Sequence, residues 1–296
     1  MDELNNLKEL RETFYNISAA NLPELEATWL NIANQLREFV LSKNPRKFLQ
    51  WDIINDTMFV SYANYAKTEL KYLKILPNWK CRWRSAIIES YVGHPVPYLR
   101  YPLSSCNLIH HAYHVAQFEN KTNLAIHEID FIFEFGGGYG SLCRLIHNLG
   151  FKGKYIIYDL PHFSALQIYY LKTIGLTIQT INELENTQPG IFCISDKELL
   201  QRILVNNKQQ KHKLFIATWS LSEAPLRFRD DITPLVCDFQ SYLIAFQDQF
   251  GEINNLRYFD RWKKSTNHIN WQSWCIEHIL GNHYLIGTQK SKTNND

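Results

Sequence analysis

Residues 131–145 read Phe-Ile-Phe-Glu-Phe-Gly-Gly-Gly-Tyr-Gly-Ser-Leu-Cys-Arg-Leu. An apolar run, a carboxylate, a cluster of glycines and then an amphipathic stripe confine this stretch to a strand–turn–helix unit. Gly136, Gly138 and Gly140 let the backbone turn sharply and approach a ligand closely. The helix that follows offers free N–H groups at its start. Every glycine costs conformational entropy, so a plain connecting turn is a poor account of four of them. The helical stripe Leu142, Leu145, Ile146 and Leu149 stops at Gly150.

The same alternation continues downstream. Tyr155–Tyr158 reads as a strand, and Phe163–Ile174 as a helix ended by Gly175. Ile191–Ile194, Leu214–Thr218, Tyr242–Phe246, Trp271–Ile279 and His283–Thr288 are further strands. Strands alternating with helices predict a doubly wound, parallel α/β sheet. Only Leu280-Gly281-Asn282 separates the last two strands, which predicts an antiparallel hairpin at the C-terminal end.

The first 125 residues have helical periodicity instead. Leu4, Leu7, Leu10, Phe14 and Ile17 form one stripe, and Leu25, Trp29, Ile32, Leu36, Phe39 and Val40 another. Asn21 is a candidate cap for the second helix, with Pro23 and Glu24 in its first turn. A third helix is predicted from Met58 to Leu76, stopping before Pro77. Gly93–Tyr98 reads as a loop, Cys106–Phe118 as a helix, and Glu119–Asn123 as a linker. The expected organisation is a helical region over 1–125 and a sheet domain over 126–296.

Composition narrows the function. The 31 Lys+Arg against 29 Asp+Glu leave a net charge of +2, without the basic excess of a nucleic-acid-binding domain. No run of about 18 apolar residues predicts a membrane span. The six cysteines form no C-x-x-C pair, and the N-terminal residues lack a signal-peptide pattern. A reduced, cytoplasmic protein is expected. No G-x-S-x-G elbow and no Walker lysine point to a hydrolase or a P-loop enzyme.

The glycine spacing is not that of the dinucleotide fingerprint G-x-G-x-x-G. Counting from Gly136 puts Ser141 where the third glycine belongs. The pattern is E-x-G-x-G-x-G, with Glu134 two residues ahead of Gly136. A carboxylate there repels a pyrophosphate and suits a cationic group such as the ammonium of an amino-acid moiety. Asp159 ends the next strand, 19 residues beyond Gly140, where an acid can accept hydrogen bonds from both ribose hydroxyls or cap a helix.

With these residues in place, 131–175 resembles the first two motifs of S-adenosylmethionine-dependent methyltransferases. The run Y-I-I-Y-D-L-P-H-F-S-A-L-Q-I-Y-Y-L resembles bacterial sugar O-methyltransferases in particular. The resemblance implies a Rossmann-like methyltransferase sheet with the late hairpin. It implies S-adenosylmethionine as cofactor, Glu134 with Gly136, Gly137, Gly138 and Gly140 near its methionine part, and Asp159, followed by Leu160, on the ribose. Asp196 is the candidate acid near the adenine. A helix cap is its competing role, and Leu176–Ile181 is a competing third strand. The resemblance places Trp219 beside the transferred methyl, where it lines the cofactor or simply packs.

Methylation of a hydroxyl needs a group to take its proton. Glu223, Asp248 and His110 are the candidates. His110, His111 and His114 cluster on one predicted helix, without the glutamate of H-E-x-x-H, and His268 fits a late histidine base poorly. A divalent metal is left open, since Asp, Glu and His are all at hand, but no motif indicates one. The expected activity is O-methyl transfer to a sugar hydroxyl in polysaccharide or glycoconjugate synthesis. The alternatives are a methyltransferase for another small molecule, an NAD-dependent nucleotide-sugar oxidoreductase, and a silent binding module. Homo-oligomerisation is left open.

Overall fold

The computed structural model describes residues 3–17, 27–179 and 189–290. Its centre is a seven-stranded sheet. The strands are β1 (Phe131–Phe135), β2 (Lys154–Tyr158), β3 (Gly190–Ile194), β4 (Lys213–Thr218), β5 (Ser241–Gln247), β6 (Ile269–Cys275) and β7 (Asn282–Gln289). Their spatial order is β3-β2-β1-β4-β5-β7-β6. The first five are parallel; β7 runs antiparallel to both β5 and β6. This is the doubly wound, Rossmann-like arrangement with a C-terminal antiparallel hairpin. The strand order reverses between β1 and β4, which opens a crevice beyond their carboxyl ends.

Alternation along the strands builds two cores. Ile132, Tyr155, Ile157, Ile216 and Leu243 face one layer. Phe133, Ile156, Phe215, Tyr242 and Ile244 face the other, with Leu200 and Ile203 of α7 (Lys197–Asn206) and Trp262 of α9 (Asn255–Ser265). The helices between are α1 (Glu3–Asn16), α2 (Ala27–Ser42), α3 (Ala66–Ile75), α4 (Cys106–Thr122), α5 (Ser141–Asn148), α6 (Pro161–Thr173) and α8 (Leu226–Ile232).

The N-terminal helices continue the first core. α1 buries Leu7, Leu10 and Phe14, each contributing about 1.5–3 kcal/mol of apolar burial, and packs on α6. Leu4 of the same stripe is left 63 % exposed. α4 packs on α3 and α5 and touches β7. Side chains from both sides of residue 125 thus share one apolar layer. No described helix is long and apolar enough to cross a membrane. The six cysteines are all free.

Three details depart from the expectations. Residues 58–65 are not helical, and α3 begins only at Ala66. The Val60 N–H is donated to the Asn107 side chain at 3.2 Å, a tertiary partner in place of a helical one. The expected linker 119–123 is helical as far as Thr122. Glu119 anchors it through a bidentate pair with Arg82 at 2.6 and 2.7 Å, and Asn123 at φ 57° ends it. The hairpin is looser than expected: β6 stops at Cys275, and Ile276–Gly281 turns back on itself. The third strand is the expected one, Gly190–Ile194, and the described part of the competing segment Leu176–Ile181 gives only one isolated bridge, from Ile178 to Ile191. The expected Asn21 cap with Pro23 and Glu24 lies outside the described residues, as does Leu25.

Candidate functional site

A cavity of about 710 Å³ lies at the carboxyl ends of β1, β2 and β4. Its floor is the glycine turn. The Gly136 N–H is donated to the Tyr158 carbonyl at 2.9 Å, tying the turn to β2. A Cβ on Gly136 would sit 2.3 Å from that of Ser220, at a φ of +71° that suits only glycine well. Three turn N–H groups are already used inside the protein, since Gly138 donates to Asp159 at 3.1 Å and Gly140 to the Gly137 carbonyl at 2.9 Å. They are not free to cradle a phosphate.

Two carboxylates flank this floor. Glu134 is on β1 with its side chain on the same face as Ile132, 3 % exposed. It accepts a hydrogen bond from the Tyr155 hydroxyl at 2.8 Å. Burial raises its pKa to about 7; the Tyr155 bond opposes that and nearby Asp159 adds to it. Asp159 accepts from Leu160 N–H at 2.8 Å, from Gly138 and from Gln167 at 2.9 Å. Burial raises its pKa to about 7 against these bonds. The Gly137 N–H bears on the same carboxylate, whose acceptor positions number about four, so a ligand hydroxyl would share an acceptor oxygen with the turn. Asp159 does not cap α6, whose N-cap is Leu160.

The opposite wall comes from distant segments. Asn55–Tyr62 and Tyr65 line it, with Asn107 and His110 from α4. Asn107 donates to Tyr139 at 3.1 Å and to Ser141 at 3.3 Å, joining α4 to the turn. Trp219, just after β4, has φ 63°, a rare conformation for a bulky side chain that costs roughly 1–3 kcal/mol. Its N–H is donated to Ala245 at 2.7 Å and its indole N–H to Asn282 at 2.6 Å. Its ring lies 5.3 Å from that of His110. Glu223 lines the cavity too; burial raises its pKa to about 7, partly offset by Gln247.

Most of the sequence-predicted residues converge here: Glu134, Gly136, Gly137, Gly138, Asp159, Leu160, Trp219, Glu223 and His110 all line the cavity. Gly140 stands behind it as the N-cap of α5, at φ 94°. Two acids are elsewhere. Asp196 is the N-cap of α7, accepting from the Leu199 N–H at 2.8 Å, and Ser195 is the residue that reaches the cavity after β3. Asp248 is paired with His283 outside the lining. Local competition explains Asp196, since an acid just before a helix is used by that helix's own N–H groups, whereas Asp248 is held by the His283 side chain of the neighbouring strand β7. His268, the weaker histidine candidate, binds the Cys237 carbonyl at 3.0 Å.

Sequence reasoning missed Glu69, His278, Tyr65 and Asn107. Glu69 left a signal: it falls in phase with Ala66, Leu70 and Leu73, a charge on the apolar face of α3. No group of three His, Cys, Asp or Glu is arranged to hold a metal ion among the described residues.

Comparison of the chain with protein-family models finds no match, and comparison with curated proteins finds none either. Solved structures give partial likenesses. A 16S rRNA methylase, ArmA, is 16 % identical, over 77 % of this chain and 100 % of its own, with a TM-score of 0.36. Magnesium protoporphyrin IX methyltransferase from Synechocystis PCC 6803, solved with bound S-adenosylmethionine, is 14 % identical over 77 % and 99 %, with a TM-score of 0.39. TrmK from M. capricolum, solved with S-adenosylhomocysteine, is 18 % identical over 58 % and 68 %, with a TM-score of 0.35.

Proposed function

We propose that the chain is an S-adenosylmethionine-dependent O-methyltransferase whose acceptor is a small molecule without phosphate, namely a sugar hydroxyl. One observation carries the reading. Asp56, Glu134, Asp159 and Glu223 line the cavity, and no lysine or arginine does among the described residues. Such a wall repels a pyrophosphate and attracts a sulfonium or an ammonium. It weighs against NAD, and so against the nucleotide-sugar oxidoreductase reading, and against nucleic acid as acceptor.

The residues fit the cofactor's parts. Glu134 would take the ammonium, Asp159 the ribose hydroxyls, and Leu160 with Phe163 would border the base. Bound there, S-adenosylmethionine supplies an electrophilic methyl group on a positive sulfur. The protein's own work is to hold the acceptor in line, exclude water and receive a proton. The volume lies within the ~300–1,000 Å³ range of ligand pockets, with space for a nucleoside and a small acceptor together. Tyr62, Tyr65 and Trp219 offer ring faces on which a sugar can stack. The helical N-terminal region serves as the acceptor-side cover. The sugar itself rests on the resemblance of residues 155–171.

The test is methyl transfer from methyl-tritiated S-adenosylmethionine to free pentoses and hexoses, their phosphates, and bulk tRNA and rRNA. Label on neutral sugars and none on the phosphorylated compounds is expected. Label on RNA would overturn the acceptor assignment.

A further inference from the structure

Behind the acceptor wall lies a buried polar cluster. Glu69 of α3 is fully buried, and its Oε1 lies 2.7 Å from Nδ1 of His110 and 3.1 Å from Nε2 of His278, in the β6–β7 connection. Its Oε2 has no hydrogen-bond partner. A buried carboxylate is costly unless paired, and breaking such a pair costs more than replacing it with apolar side chains. Stability alone would favour leucine on this face of α3. The cluster is therefore better explained by what it does to His110, the one of its histidines that lines the cavity.

A carboxylate only accepts hydrogen bonds, so Nδ1 of His110 must carry the proton. The neutral ring then keeps its lone pair on Nε2. We propose that His110 receives the acceptor's hydroxyl proton at Nε2, and that Glu69 is the positioning residue that fixes this tautomer and balances the imidazolium formed. The proposal rests on the methyltransferase reading. In balance, the acceptor O–H bond breaks and its proton goes to Nε2; the oxygen–methyl bond forms, and the methyl–sulfur bond breaks with its electron pair left on sulfur. His278 is a second donor to the same carboxylate.

His111 lines the cavity as well, but of the two only His110 is paired to a carboxylate among the described residues. From its own helix His110 faces His114, with His111 adjacent and Cys106 one turn away; α3 contributes Glu69, the residue that caps α3 is Tyr65, the β6–β7 connection contributes His278, and Tyr284 of β7 binds His114 behind it. Burial pushes His111 down to about 3 and His114 well below its ordinary value, so both are neutral. Burial works to raise the Glu69 pKa, but the two partner imidazoles hold it below the usual carboxylate range. Trp219 and Tyr65 pack against the His110 ring and limit its rotation.

The test is ring-nitrogen NMR on the full chain labelled with ¹⁵N-histidine, with and without S-adenosylhomocysteine, at a pH that leaves the rings neutral. The Nδ1–H tautomer is expected at His110, and Glu69→Gln is expected to mix the two tautomers because an amide can donate as well as accept. A wild-type His110 in the Nε2–H form, or a tautomer that Glu69→Gln does not move, would overturn the proposal. The wild-type spectrum needs no variant, so the question is decided even if Glu69→Gln does not fold. With a sugar that accepts label, His110→Ala should lose about 100-fold or more in kcat with the KM for S-adenosylmethionine within threefold. Unchanged kcat would also overturn it. Absence of any response to S-adenosylhomocysteine would instead sink the methyltransferase reading, leaving the tautomer result to stand by itself.

Discussion

The two walls of the cavity are built in opposite ways. The wall around Glu134 and Asp159 comes from one stretch, residues 134–163, in which strand, turn and helix follow each other directly. The facing wall gathers Met58, Tyr65, His110, Trp219 and Ile279 from segments far apart in the chain. The first wall is set by local backbone geometry. The second depends on how α3 and α4 dock against the sheet and the β6–β7 connection. A contiguous wall suits the constant half of a reaction; an assembled wall can be reshaped for each acceptor.

The comparison predicts that variants of the first wall lose ligand binding, while variants of the second lose turnover. The largest effect on binding is expected for Asp159→Ala, which removes a recessed acceptor and leaves the Gly138 and Leu160 N–H groups without their partner. S-adenosylhomocysteine affinity should fall by about 100-fold or more, read by calorimetry. Next comes Gly136→Ala. The positive φ and the contact with Ser220 should destabilise the fold by about 2–3 kcal/mol, lowering Tm, while Gly175→Ala, at a position with open space, loses less.

Glu134→Gln sharpens the contrast through pH. A carboxyl whose folded pKa is raised to about 7 contributes stability that is full below its unfolded value and is lost as pH rises through about 7. At pH 8 the ligand-free variant should therefore be more stable than wild type, on the order of 1–2 kcal/mol, with the gain shrinking towards pH 5. The same variant should bind S-adenosylhomocysteine about tenfold more weakly. Greater stability without weaker binding would mean that Glu134 does not meet the ligand's cation. The smallest effect belongs to Asp196→Ala: loss of the α7 cap costs about 1 kcal/mol in a denaturant melt and leaves ligand affinity unchanged.

Legibility in the sequence followed the same division. Glu134, the glycine turn and Asp159 could be read because spacing along one short stretch fixes them in space. The sheet could be read because its strands are short apolar runs punctuated by Gly and Pro. Asp196 was ambiguous for a local reason, since the same position serves a helix N-terminus. The helix expected over 58–65 failed because Asn107, far along the chain, takes the Val60 N–H. The His110–Glu69 pair could not be read, because no sequence spacing relates α3 to α4; only the misplaced charge on α3 hinted at it.

The central claim, that this acidic, glycine-floored cavity takes S-adenosylmethionine, is met most directly by calorimetric titration of the protein with S-adenosylhomocysteine and, separately, with NAD. Saturable binding of S-adenosylhomocysteine, lost in Asp159→Ala and absent for NAD, is the predicted result. Binding of NAD in place of S-adenosylhomocysteine would contradict it.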